Sequence, residues 1–143
     1  MKLDVGMIER KEELTKLPPF YVEHALWGTE DFPKMYGYLG FVPGDSFYLK
    51  MVCEETNPLR RYKNANEPVY QDSAMEAFLM FEPVRSRMGK ELYLNLEANA
   101  NGALLAGYGS KRTYRAYFTG AEHAMFECHG EIHEKDWSVE LRI

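Results

Sequence analysis

The 143-residue sequence predicts an all-β fold, an antiparallel β-sandwich of the immunoglobulin-like or jelly-roll type. Short apolar or alternating runs recur between Gly, Pro and Asn clusters, as strands between turns do. No stretch sustains a helical apolar period long enough for a packed helix. Aromatic residues make up 14% of the chain, mostly Tyr and Phe, which favour pleated surfaces. The length fits one domain with one core.

Residues 1–19 read as an N-terminal arm or one short helix, because Met7, Ile8, Leu14 and Leu17 flank a charged run that Pro18-Pro19 ends. The sandwich is expected over 20–143. Its strands are expected at Phe20 to Trp27, Phe47 to Cys53, Ala74 to Phe81 and Glu91 to Ala98, then Ala103 to Tyr108, Thr113 to Phe118, Met125 to His133 and Trp137 to Ile143. Asn101-Gly102 reads as a two-residue hairpin turn. The last strand has a clean apolar face of Trp137, Val139, Leu141 and Ile143 and is cut off by the chain end. An unpaired edge beside it would favour self-association.

Seventeen basic and 22 acidic residues give a net charge of −5, which disfavours a nucleic-acid binder held by phosphate neutralisation. No apolar run reaches the roughly 20 residues of a membrane span. The N-terminus shows no secretory signal, so a cytoplasmic location is expected, with Cys53 and Cys128 as reduced thiols.

One constellation stands out. Alternation places Tyr93, Asn95, Glu97 and Asn99 on one strand face, about 7 Å apart. A ring beside fixed amide and carboxylate groups suits a sugar, whose C–H face stacks while its hydroxyls need donors and acceptors. A solvated outer face is the alternative, although two asparagines are poor strand formers. Glu76 shares a face with Ala74 and Phe78, so a partner is expected for it, either in a structural ion pair or in a ligand. His123, Cys128, His129 and His133 suggest a metal, but His129 and His133 on one strand are about 13 Å apart, too far to share an ion. The clusters Arg60-Arg61-Lys63 and Lys111-Arg112 with Arg115 read as solvated loop charges.

The motifs Ala25-Leu26-Trp27-Gly28-Thr29, Cys53 to Pro58, Val69 to Glu76, Tyr93 to Leu105 and Trp137 to Leu141 resemble carbohydrate-binding family 9-like proteins of bacteria, in the family's order. The resemblance implies a sandwich related to the sugar-binding modules of xylanases and, more distantly, to DOMON domains. It implies that Tyr70 is a stacking ring, Glu76 a sugar-binding carboxylate, and Asn95 and Glu97 polar contacts on the next strand. Tyr70 stands where the modules proper carry tryptophan. The chain also stops where the family continues for several strands, so the second ring of the family's clamp is expected outside these residues.

The function expected is therefore non-catalytic carbohydrate binding through Tyr70, Glu76, Asn95 and Glu97. The alternative is a small glycoside hydrolase using a carboxylate pair such as Glu76 and Glu97. A third reading, haem held by a Met/His pair, comes from the DOMON relatives and selects no particular pair. No cofactor is required, and a structural calcium is left open.

Overall fold

The computed structural model describes residues 3–25, 28, 30–81 and 87–143. Leu26, Trp27, Thr29 and the expected Glu82-Pro83 turn lie outside the described residues. Two sheets face each other. The first contains β1 (Gly6–Met7), β2 (Phe20–Val22), β3 (Met35–Phe41), β4 (Phe47–Cys53), β9 (Cys128–Ile132) and β10 (Trp137–Arg142). Its order is β1-β3-β4-β10-β9, with β2 also paired to β3. The second runs β5-β6-β7-β8, from β5 (Ala74–Leu79), β6 (Tyr93–Asn99), β7 (Leu104–Lys111) and β8 (Tyr114–Tyr117). A five-residue helix, α1 (Gly120–Ala124), leads into β9. No helix among the described residues is long and apolar enough to cross a membrane.

The core lies between the sheets. Trp137, Val139 and Leu141 of β10 and Leu49 and Met51 of β4 meet Met75, Leu96, Ala98, Leu104 and Ala106, all nearly inaccessible. The apolar face expected for the last strand is therefore inside. β10 pairs with β4 on one side and β9 on the other, so it is central and its own backbone groups are used.

Four local readings are corrected. Met35–Phe41 is a seven-residue strand that the sequence reading passed over, because Gly37 and Gly40 weaken strand propensity. Both glycines stand where a side chain would crowd its neighbours. A Cβ at Gly37 would lie 2.5 Å from the Phe20 ring, and one at Gly40 would lie 2.9–3.1 Å from Ile8, Leu14 and Leu17. β2 is short, ending at Val22. The 125–133 strand starts only at Cys128, after α1. The β6–β7 turn is a three-residue loop, since Asn99 N–H bonds Ala103 O and Gly102 has φ +76° while Asn101 is not in the left-handed region required for a two-residue type I′ turn.

The N-terminal arm forms a 3-10 helix, Lys11–Lys16, and lies over the outer face of the first sheet rather than only its edge. Ile8 and Leu14 bury against Tyr48, with Tyr38 and Val42 around them. Cys53 and Cys128 are free thiols, and burial pushes them up to about 11 and about 12.

Candidate functional site

The segment 59–73 crosses the outer face of the second sheet and is stapled there by Asp72. The Asp72 side chain is fully buried and accepts from Arg61 Nε (3.0 Å), Tyr62 N–H (3.0 Å) and Asn99 Nδ2 (2.9 Å). Burial alone would raise its carboxyl, but these hydrogen bonds outweigh that and hold it below the usual range. Asn99 also donates to Tyr62 O, and its Oδ1 accepts from Asn101 and Ala103 N–H. Glu55 adds a second clip, accepting from Trp137 Nε1 and Ser73 Oγ at 2.9 Å each. The expected row of four polar residues is thus divided. Asn99 belongs to the scaffold beneath the crossing segment, and so do Arg60 and Arg61, which bond Asn101 and Asp72 rather than water alone.

Beyond that segment the outer face opens. Register places Glu76 of β5 opposite Glu97 of β6, and Phe78 opposite Asn95. It continues across β7 as Asn95–Gly107–Tyr117 and Tyr93–Gly109–Arg115. Glu76, Asn95 and Glu97, all expected in the site, are therefore brought together. Asn95 is fully buried and bonds on both sides: Nδ2 donates to Glu76 Oε1 at 2.6 Å, and Oδ1 accepts from Arg115 Nη1 at 2.6 Å. Glu76 itself is exposed, so its partner is Asn95 and no burial cost arises.

Arg115 corrects the sequence reading most sharply. It is not a solvated loop charge but a β8 residue with only 12% of its side chain exposed. Nε donates to Tyr93 Oη at 3.1 Å, and Nη1 lies 3.7 Å from Glu97 Oε1. The guanidinium sits 5.3 Å from the Phe78 ring centroid and 5.5 Å from that of Tyr93, within cation–π range. Phe78 and Tyr93 are 5.7 Å apart. The local sequence gave one usable signal, two glycines spaced by two on the intervening strand.

Glu97 is 8% exposed, and its carboxyl is raised above the usual range. Burial is the main cause, followed by the charge and hydrogen bond of Glu76, with Asn95 and Arg115 opposing. Phe78 is 55% exposed and Tyr70, on the 3-10 turn Val69–Gln71, is 63% exposed. That turn abuts β5 and β6, so Tyr70 stands at the border of the same face. A shallow groove of about 290 Å³, lined by Phe78, Leu79, Met80 and Tyr93, adjoins the cluster. Of two further hollows, one lies beside the cluster, lined by Leu79, Tyr93 and Phe118, and the other is lined by Phe47, Phe81 and Arg142.

The histidines do not assemble. The His123 ring bonds Leu104 O at 2.9 Å, and His133 lies 3.8 Å from Glu131. Among the described residues no three His, Cys, Asp or Glu side chains come together as metal ligands.

The model of carbohydrate-binding family 9 matches residues 15–125. The chain belongs to carbohydrate-binding family 9. Two solved structures share the fold of this family 9 chain. One is a candidate carbohydrate-binding protein from Bacteroides uniformis ATCC 8492, with TM-score 0.80 and 17% identity, covering 99% of this chain and 71% of that one. The other is a family 9 carbohydrate-binding module from Caldicellulosiruptor kristjanssonii in complex with glucose, with TM-score 0.60 and 14% identity, covering 97% of this chain and 66% of that one. No curated protein matches the family 9 chain by sequence.

Proposed function

We propose that this family 9 chain binds carbohydrate without transforming it, on the outer face of the second sheet. One observation carries the reading: an exposed ring, Phe78, and the half-buried ring of Tyr93 adjoin a pre-bonded cluster of Glu76, Asn95, Glu97 and Arg115. Rings accept the C–H face of a pyranose, while a carboxylate and a guanidinium held in place meet its hydroxyls with little ordering cost. Tyr70 borders the face as a further stacking ring. The glucose bound by the Caldicellulosiruptor module supports a hexose-type ligand.

No observation favours the hydrolase alternative: Glu76 and Glu97 stand directly opposite one another on adjacent strands, with Asn95 bonded to Glu76 and Arg115 beside Glu97. Calorimetric or NMR titration with glucose, cellobiose and xylobiose tests the proposal. Chemical-shift changes at Phe78, Tyr93 and Asn95 on millimolar sugar are expected, and unchanged spectra with all three sugars would refute it.

A further inference from the structure

We infer that Arg115 is a positioning residue, which reaches across β7 to fix the Asn95 amide and through it aims the Glu76 carboxylate at the ligand. The inference rests on the binding face proposed above and assigns a role within it.

The argument starts with distance. Arg115 lies on β8 and Asn95 on β6, two strand spacings away, or about 9–10 Å. An arginine spans this only if nothing stands on β7 between them. The intervening outward positions are Gly107 and Gly109. A Cβ on Gly109 would lie 2.2 Å from Tyr114 O and 3.1 Å from Arg115 Cα, so this glycine lets the β8 backbone approach closely, and neither glycine sets a side chain between Arg115 and Asn95.

The second step is amide orientation. An Asn side chain offers an acceptor on one side and a donor on the other, and their placement follows from the partners. Arg115 is donor-only, so Asn95 must turn Oδ1 toward it. That leaves Nδ2 facing Glu76 Oε1 and commits the Glu76 oxygen there as an acceptor. Arg115 Nε also donates to Tyr93 Oη, so donation runs outward from the guanidinium, to Tyr93 on one side and through Asn95 to Glu76 on the other. The planar fork is what permits two fixed bonds at once, and lysine lacks it.

The test is Arg115→Lys, which keeps the charge and the alkyl stem but not the fork. Titration with cellobiose should show affinity reduced at least fivefold, with the melting temperature within a few degrees of the parent. Because Arg115 acts through Asn95, its substitution should add little further loss in an Asn95→Ala background. Among the described residues, the groups facing Arg115 that titrate or carry charge are Glu76 on β5 and Glu97 and Tyr93 on β6, while β7 presents Gly107 and Gly109 there. The Glu97 carboxyl, followed by NMR in the free protein, should therefore titrate at higher pH once the guanidinium is removed in Arg115→Gln. Unchanged cellobiose affinity in Arg115→Lys, or fully additive losses with Asn95→Ala, would overturn the inference while leaving sugar binding intact. If the parent binds no sugar, the binding-face reading fails instead. An unmoved Glu97 titration in Arg115→Gln would then overturn the positioning role as well.

Discussion

Asn99 donates its amide to Asp72 at 2.9 Å across 27 residues of sequence, and this bond ties the crossing segment 59–73 to the outer face of β6. Removing the carboxylate leaves Tyr62 N–H and Arg61 Nε without their acceptor. Asp72→Ala should therefore cost about 2–4 kcal/mol, measured by urea unfolding. A change below about 0.5 kcal/mol would show that the segment is held by its apolar contacts alone.

Glu97 and Asp72 should shape the pH dependence of stability in opposite senses. A carboxyl raised in the folded state binds more protons there than in the unfolded chain, so stability falls as pH rises. For Glu97 that contribution is complete below its ordinary value of 4.5 and is lost as pH passes through the higher folded value. Asp72 is lowered, so its contribution is present above its ordinary 3.8 and is lost as pH falls through the folded value. Thermal melts of Glu97→Gln from pH 4 to 8 should show a flatter decline than the parent, while Asp72→Asn should lose less stability than the parent on acidification.

Phe78→Ala and Tyr70→Ala should separate ring function from ring packing. Both side chains are more than half exposed, so each substitution should cost less than about 1 kcal/mol of stability. Loss of a stacking ring should still weaken cellobiose binding about fivefold or more, by calorimetry. Equal affinity in both variants would locate stacking elsewhere.

Charge should select among sugars. Among the described residues the face carries Glu76 and Glu97 against one cation, Arg115, which is already paired. Glucose should therefore bind more tightly than glucuronate by several-fold at pH 7, and the gap should narrow with salt. Preferred binding of the uronate would show that Arg115 is released to the ligand.

Two glycines should differ in their tolerance of a methyl group. At Gly40 the new Cβ meets the ends of Ile8, Leu14 and Leu17 side chains, which can shift. At Gly130 it meets backbone, Ala100 O at 2.4 Å and Gly102 N at 2.6 Å. Gly40→Ala should cost about 1 kcal/mol and Gly130→Ala about 3 kcal/mol or more, by chemical denaturation.

The same glycines explain what could be read from the residues alone. β4 was legible end to end because Phe47–Cys53 is apolar and bounded by turns. β3 was not, because its glycines argue against a strand locally and are favoured by neighbours distant in sequence, Phe20 and the Lys50 backbone at Gly37 and the N-terminal arm at Gly40. That Asn95 and Glu97 share one face was legible from alternation, whereas the grouping of Glu76 with them came from the family motifs alone. Arg115 was not, since its partners lie two strands away and nothing in Lys111-Arg112-Thr113-Tyr114-Arg115 distinguishes it from a solvated basic run. Asn99 was grouped with the ligand row because periodicity reports a shared face and not what covers it.

The contact between Gly130 and the β6–β7 loop sets where this scaffold will accept foreign sequence. That loop contains an Asn-Gly pair and resembles a free hairpin tip, yet a Cβ at Gly102 would lie 2.8 Å from Gly130 N. The tip joining β3 and β4 is different: Gly44 has φ +80° and open space where its Cβ would stand. A peptide epitope or a second binding module grafted at Gly44 should leave the sandwich intact, whereas the same graft at Asn101-Gly102 should separate β9 from the opposite sheet.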